Sequence, residues 1–547
     1  MHVRETAVTG LVTLTVVVVW GWGDGGGLVW AEEQAVGAVG AAATAPATAP
    51  AGVGLAELRE RAAGGDAEAM VELGDRYEEA DGVAEDAAAA VAWFRRAAEA
   101  GDVTGMLRMA WCYRVGRGVE QDHGVSADWY ERASELGDGF AMFRLGVAFD
   151  RGRGRPVDKE EAVRLYSQAA MLGQRAAMNN LGVMYAKGEG VEQDWDEANT
   201  LYVQAAELGD RVAMYNMGSN YEAGNGFEVD MVQAVDWYRQ SAEAGYASAM
   251  VSLGLCYEDG LGVERDLDQA EAWYRKAVAV DHTDAVFRMG WLYDESRGGP
   301  ADDAEAVGWY RRAAEAGHLH AMNNLGKMYA NGEGVERDDA AAAQWYRRSA
   351  EAGHVVAMNN LGEAYDEGWG VPEDDAEAKR WYVKSAEAGD LESMYDLGWL
   401  LTHGDAAVRD PRGAIDWYKR AAEAGHVGSM VNLGYAYEMG EVVPKLPKVA
   451  VFWYRKAVEA GSGLGAANLG LCYENGFGVE ADPARAFEYY QLGAERGDAW
   501  AMYNVGDCYE RGVAVEPDME QALVWYRRSA ELGDEDAVAR LEALGER

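Results

Sequence analysis
With 93 acidic against 49 basic residues in 547 and a formal net charge of -44, the chain carries a field that repels nucleic acid and anionic membranes and favours basic partners. Its length suggests several globular domains, but a fixed internal period replaces that reading with a stacked array whose core is one long strip. The four cysteines, Cys112, Cys256, Cys472 and Cys508, share one register position of that period. They read as small, unpaired apolar residues, because stacked helices lie roughly 8–10 Å apart and a disulfide needs Cα atoms within about 7 Å.

At the N-terminus, Arg4 precedes an apolar run from Ala7 to Trp22, and Val29 and Ala31 supply the small residues that signal peptidase prefers. Residues 1-31 are expected to be a signal peptide, or an N-terminal anchor where it is not cleaved. The run is short against the about 20 apolar residues of a membrane-spanning helix. Cleavage would make the chain extracytoplasmic: secreted, in the ER lumen or in the periplasm. Residues 32-54, rich in Ala, Pro and Thr, are expected to be a flexible linker. No later segment reads as a membrane span.

Residues 55-65 read as an N-terminal capping helix, residues 66-533 as thirteen repeats of 36 residues, and residues 534-547 as a C-terminal capping helix. The marker of each repeat is a small residue and Met, two variable residues, then Leu-Gly, as at Ala69-Met70…Leu73-Gly74 and Ala249-Met250…Leu253-Gly254. Asp66 is an expected N-cap, and Ala69, Met70, Leu73, Gly74 and Tyr77 fall on one face of a helix. A Gly-rich turn such as Gly188-Glu189-Gly190-Val191 ends it. Asp86 caps a second helix, with equivalents in eleven other repeats that include Asp266, Asp302 and Asp482; Leu446, before Pro447, is the exception. The second helix carries Ala90, Trp93-Phe94 and Ala97-Ala98, and Gly101 fits a left-handed helix end. Its aromatic pair, elsewhere Trp237-Tyr238, Trp273-Tyr274, Trp309-Tyr310 or Trp345-Tyr346, is expected in the core between successive repeats. The predicted fold is an all-α solenoid of helix–turn–helix units.

These motifs, Ala-Met-x-x-Leu-Gly-x-x-Tyr, Gly-x-Gly-Val and Asp…Ala-x-x-Trp-Tyr…Ala-Ala-Glu-x-Gly, resemble the Sel-1-like repeat, a relative of the tetratricopeptide repeat. The resemblance implies a right-handed α/α superhelix whose first helices line a concave groove. It implies a non-enzymatic scaffold or adaptor for protein–protein interactions, in ER-associated quality control or in bacterial envelope complexes. One bacterial branch of the family binds or hydrolyses β-lactams and carries a disulfide in each repeat. This chain lacks those Cys pairs and any Ser-x-x-Lys motif, which argues against a β-lactam-binding hydrolase.

Counting from the marker's first residue as zero, positions three, six and nine of the first helix face away from its core stripe at about 100° per residue, and by the resemblance they face the groove. Position six holds Trp111, Trp291, Trp399 and Tyr435. Position nine is mostly acidic, with Glu222, Glu258, Asp294 and Asp366 among its members. Aromatics in an acidic groove suit a basic or amphipathic peptide segment. Position three carries Asn180, Asn216, Asn324, Asn360, Asn432 and Asn504, whose carboxamides either grip a peptide backbone or bond an adjacent repeat. Carbohydrate binding or an envelope-structural role is the alternative use of the tryptophans. His282, His318, His354 and His426 open first helices, too far apart to share a metal with bonds of about 2 Å. No catalytic motif, metal site or cofactor site is read, and the chain is expected to be a monomer. Two stretches, 401-412 and 438-448, depart from the repeat pattern.

Overall fold
The computed structural model describes residues 54–297 and 300–546. The expected signal or anchor, and the linker up to residue 53, lie outside the described residues. Within these are 28 α-helices, one π-helix and no strand. Packing divides them into two compact units that part between Leu292 and Tyr293, inside the seventh repeat.

The sixth repeat shows how sequence becomes structure in the first unit. Its first helix spans Ala247–Asp259 and its second Leu267–Val278. Ala249, Met250, Leu253 and Cys256 from the first, and Ala270, Tyr274 and Ala277 from the second, are buried on facing stripes. The Leu-Gly marker follows from this packing. A Cβ on Gly254 would stand 2.4 Å from Cε1 of Tyr274, so the tyrosine ring lies directly on the glycine backbone. The second repeat places Ala110 at this position, with Tyr130 at the tyrosine's register position. Gly254→Ala is therefore expected to cost about 2 kcal/mol, the usual scale of overpacking, measured by chemical denaturation against wild type.

The turn is closed by one recurring hydrogen bond. The amide of Asp266 donates to the Tyr257 carbonyl at 2.8 Å, and the Asp266 carboxylate accepts from Asp268 and Gln269 amides at 3.0 Å to cap the second helix. Gly262, at φ +70°, brings the turn against the preceding repeat; a Cβ there would meet the Met231 carbonyl oxygen at 2.2 Å. In the second unit the irregular stretches keep the same closure: Asp410 N–H donates to Leu401 at 2.8 Å and Leu446 N–H to Tyr437 at 2.9 Å. Gly404 is extended at its helix end, where the other repeats mostly turn left-handed. The 401-412 stretch instead buries Val408 and ties the Asp405 amide to Asp375.

The seventh repeat departs from expectation. Its first helix, Thr283–Trp291, runs into a π-helix over Leu292–Arg297, and the next helix is Pro300–Glu315. Asp302 is therefore inside the first turn and not the N-cap. Proline sets the helical φ two residues earlier, and Asp302 and Asp303 then face the positive helix end. At the array ends, helix Leu55–Ala63 buries Leu58 and Ala62, and helix Glu535–Ala543 buries Ala537 while Arg540 Nε donates to Glu510 at 2.9 Å.

Candidate functional site
The outward face of the first helices divides into residues bonded inward and residues that keep part of their surface exposed. The position-nine acids belong to the first group. Seven of the nine stand 16 residues before a core tyrosine of their own repeat and accept that tyrosine's hydroxyl, whereas Glu78 precedes Phe94 and pairs with Arg117, and Asp150 is held by Lys159. Glu258 accepts from Tyr274 at 2.7 Å, Asp294 from Tyr310 at 3.0 Å, Asp366 from Tyr382 at 3.3 Å, and Glu222 from Tyr238. Glu438, Glu474 and Glu510 do the same for Tyr454, Tyr490 and Tyr526. Burial, then the adjacent Glu258, holds the Tyr274 phenol well above its usual range, so it stays a donor. Burial also raises Asp294. Glu258 is 4% exposed and cannot reach a partner.

The asparagines are also committed. Asn180 and Asn216 are fully buried, which removes both from any binding face. Asn216 donates to Asn179 Oδ1 of the preceding repeat at 2.9 Å, and Asn180 donates to the Tyr166 hydroxyl at 3.5 Å. In the second unit Asn360 donates to Asn323 at 2.8 Å and Asn324 to the Tyr310 hydroxyl at 3.2 Å. Asn432 bonds the Tyr418 phenol, and Asn504 donates to the Trp500 carbonyl at 2.8 Å. Most of the carboxamides thus bond across helices or repeats, while Asn504 bonds within its own helix.

The position-six aromatics remain on the surface. Trp111 in helix Val103–Val115 and Trp291 at the end of Thr283–Trp291 belong to the first unit; Trp399 in Leu391–His403 and Tyr435 in Val427–Met439 belong to the second. The three tryptophans are half-buried and Tyr435 is 38% exposed. Trp399 stacks on His403 at 3.8 Å between ring centroids, and Trp291 lies 6.4 Å from Phe287. Tyr435 follows Trp399 in the next repeat, so these two stand at one register position on neighbouring first helices.

The second-helix aromatic pairs split in a way the sequence reading did not anticipate. The second member is core: Tyr238, Tyr274 and Tyr310 are at most 2% exposed. The tryptophan before it is usually half-buried and covered by the base three residues on. Arg96 lies 4.5 Å over Trp93, Arg348 4.3 Å over Trp345 and Arg420 4.0 Å over Trp417. The readable signal was the basic residue three places after the Trp.

The histidines at first-helix starts act as caps. Nδ1 of His318, His354 and His426 accepts from Ala321, Ala357 and Ser429 amides at 3.2, 3.3 and 3.1 Å, whereas His282 makes no capping bond. All four cysteines are buried free thiols, pushed up to about 12 by burial, which is the opposite of a nucleophile's environment. No described helix is long and apolar enough to cross a membrane.

Comparison with known proteins adds to this picture. The Sel1 repeat family model matches thirteen consecutive stretches, from 67–102 to 501–534. Among solved structures, the chain is 29% identical to c5321, a protective antigen of uropathogenic Escherichia coli strains displaying an SLR fold, over 90% of this chain and 98% of that one, with a TM-score of 0.64. A Sel1 repeat protein from Oxalobacter formigenes is 32% identical over 45% of this chain and 99% of its own, with a TM-score of 0.41. No curated protein matches the chain.

Proposed function
Because this chain belongs to the Sel1 repeat family, we propose that it is a non-enzymatic scaffold that holds protein partners on the outward face of its first helices, through the aromatics of position six. The supporting observation is a contrast along that one face. Glu258, Asp294 and Asp366 at position nine and Asn324 and Asn360 at position three are bonded inward, while Trp111, Trp291, Trp399 and Tyr435 keep ring surface at the solvent boundary. Half-exposed aromatics are the side chains most often central to binding energy. In a chain of net charge -44 they face basic or amphipathic segments, whose arginines stack on indole rings.

The signal-like residues 1-31 support an extracytoplasmic location. That c5321 is a protective antigen of Escherichia coli strains supports a bacterial exported scaffold over a role in ER quality control.

The test compares capture by the full chain and by a variant carrying Trp111→Ala, Trp291→Ala and Trp399→Ala, in extract of the source organism, with helicity checked by circular dichroism. The variant is expected to keep its helical signal, since none of the three rings is fully buried, and to lose proteins that the wild type retains. Equal retention by the folded variant moves binding off this face and overturns the reading.

A further inference from the structure
A cavity of about 400 Å³ lies between the second and third repeats. Its wall is built from Arg114 at the end of helix Val103–Val115, Arg144 in helix Gly139–Arg151, Arg153 in the following turn, and Gln121, His123 and Tyr130. None of its lining residues is Asp or Glu, in a chain that has 93 of them. The volume falls in the range of about 300–1,000 Å³ typical of small-molecule sites. We propose that this cavity is a binding site for a compact oxyanion, a carboxylate- or phosphate-bearing small molecule held by the three guanidinium groups. The proposal is independent of the scaffold reading.

The repeat register explains how the cavity became cationic. Position nine carries an acid in nine repeats, Glu78, Asp150 and Glu222 among them, but Arg114 in the second. Arg144 sits at position three. Its equivalent one repeat earlier, Arg108, faces Asp75 at 3.2 Å, the position-six residue of the preceding repeat. For Arg144 that place is taken by Trp111. The second repeat thus places Arg114 and Trp111 where the first places the carboxylates of positions nine and six, Glu78 and Asp75.

The nearby acids are engaged elsewhere. Asp150 is bound by Lys159 at 2.7 Å, and Asp128 and Glu131 are bound by Arg155 at 2.8 and 2.7 Å. The Nε atoms of Arg114 and Arg144 are buried without a hydrogen-bond partner, as are those of Arg108 and Arg288; the Arg114 guanidinium also bonds Tyr130, and burial followed by Arg144 holds it below its ordinary value. A buried N–H of a cation that lacks an acceptor is costly. An anion with two or more oxygens satisfies the guanidinium forks in the geometry they favour, and the remaining volume leaves room for the body of the molecule that carries it.

The experiment is isothermal titration of the full chain with pyrophosphate and, separately, with citrate, at constant ionic strength. One site per chain is expected, with a Kd of about 1 mM or tighter for at least one probe. Preference for pyrophosphate names a phosphate ligand, and preference for citrate a carboxylate. Arg144→Gln is expected to weaken binding by about tenfold or more, the worth of one charge-assisted fork. Arg153→Gln, at an exposed side chain, is expected to weaken it as well, with helicity checked by circular dichroism. Arg337→Gln, at an exposed pair with Asp339, should leave it unchanged. Absence of binding for both probes, or wild-type affinity in both Arg144→Gln and Arg153→Gln, overturns the proposal.

Discussion

Tyr274→Ala is expected to lower the unfolding free energy of the first unit by about 3–5 kcal/mol, the scale of a deleted buried aromatic, with the hydrogen bond to Glu258 lost as well. Tyr274 is fully buried with its ring on Gly254, and its hydroxyl donates at 2.7 Å to Glu258, itself only 4% exposed. Removing the ring opens a cavity at the interface between two helices and takes one hydrogen bond from that carboxylate. The fourth repeat supplies the control. Tyr202 occupies the same position, but Ala186 stands where nine of the repeats place an acid, and the Tyr202 hydroxyl is buried without a partner. Tyr202→Phe is therefore expected to be neutral or stabilising, by at most about 1–3 kcal/mol, the cost of an unsatisfied buried polar group. Tyr274→Phe, by contrast, destabilises. Chemical denaturation of the three variants decides it; equal effects of Tyr202→Phe and Tyr274→Phe would show that the tyrosine–carboxylate bond contributes nothing.

Acidification from pH 6.5 to 4 is expected to destabilise the second unit through His354. Its Nδ1 accepts the Ala357 amide at 3.3 Å, which places the ring proton on Nε2, facing His320 Nδ1 at 3.0 Å. A second proton would turn the capping acceptor into a donor aimed at a backbone N–H. Burial, with His320 and His318 beside it, pushes His354 down to about 4. In the unfolded chain the same group titrates near its ordinary 6.5. Between those values the unfolded state holds the extra proton, so the stabilisation is full above pH 6.5 and is lost as pH falls to 4. The shift corresponds to at most about 3 kcal/mol, and partial solvent access reduces it to about 2. His354→Asn keeps a capping acceptor. Melting temperature against pH should be flatter in that variant across the window, and parallel curves would place the acid sensitivity elsewhere.

The helical elements were legible because one period fixes thirteen copies of every cap, turn and apolar stripe, and a pattern repeated that often averages out local exceptions. Asp266, Gly262 and the Leu-Gly marker each hold the place their residue type demands. The seventh repeat was misread because Asp302 fits the register, whereas Pro300 starts the helix earlier and removes the need for that cap. The outward face was legible only in part. A helical wheel treats the first helix alone and puts Glu258 and Asn180 opposite its core stripe. The structure adds neighbouring helices that bury both. The constant 16-residue spacing from acid to tyrosine was present in the sequence, but it crosses a turn, and its meaning depends on how the two helices pack. The same holds for the arginine cavity: Arg114 was visible as the one base at an acidic position, whereas its convergence with Arg144 and Arg153 is a tertiary fact.

The central claim, that partners lie against the position-six aromatics, is tested most directly by a photo-crosslinking side chain placed at Tyr435 and, separately, at Phe452. Both positions are exposed, at 38% and 51%, but Tyr435 is on a first helix and Phe452 on the following second helix, Pro447–Glu459. Irradiation in extract of the source organism is expected to join partner peptides at position 435 and not at 452. Crosslinks formed at 452 alone, or equally at both, would contradict the account.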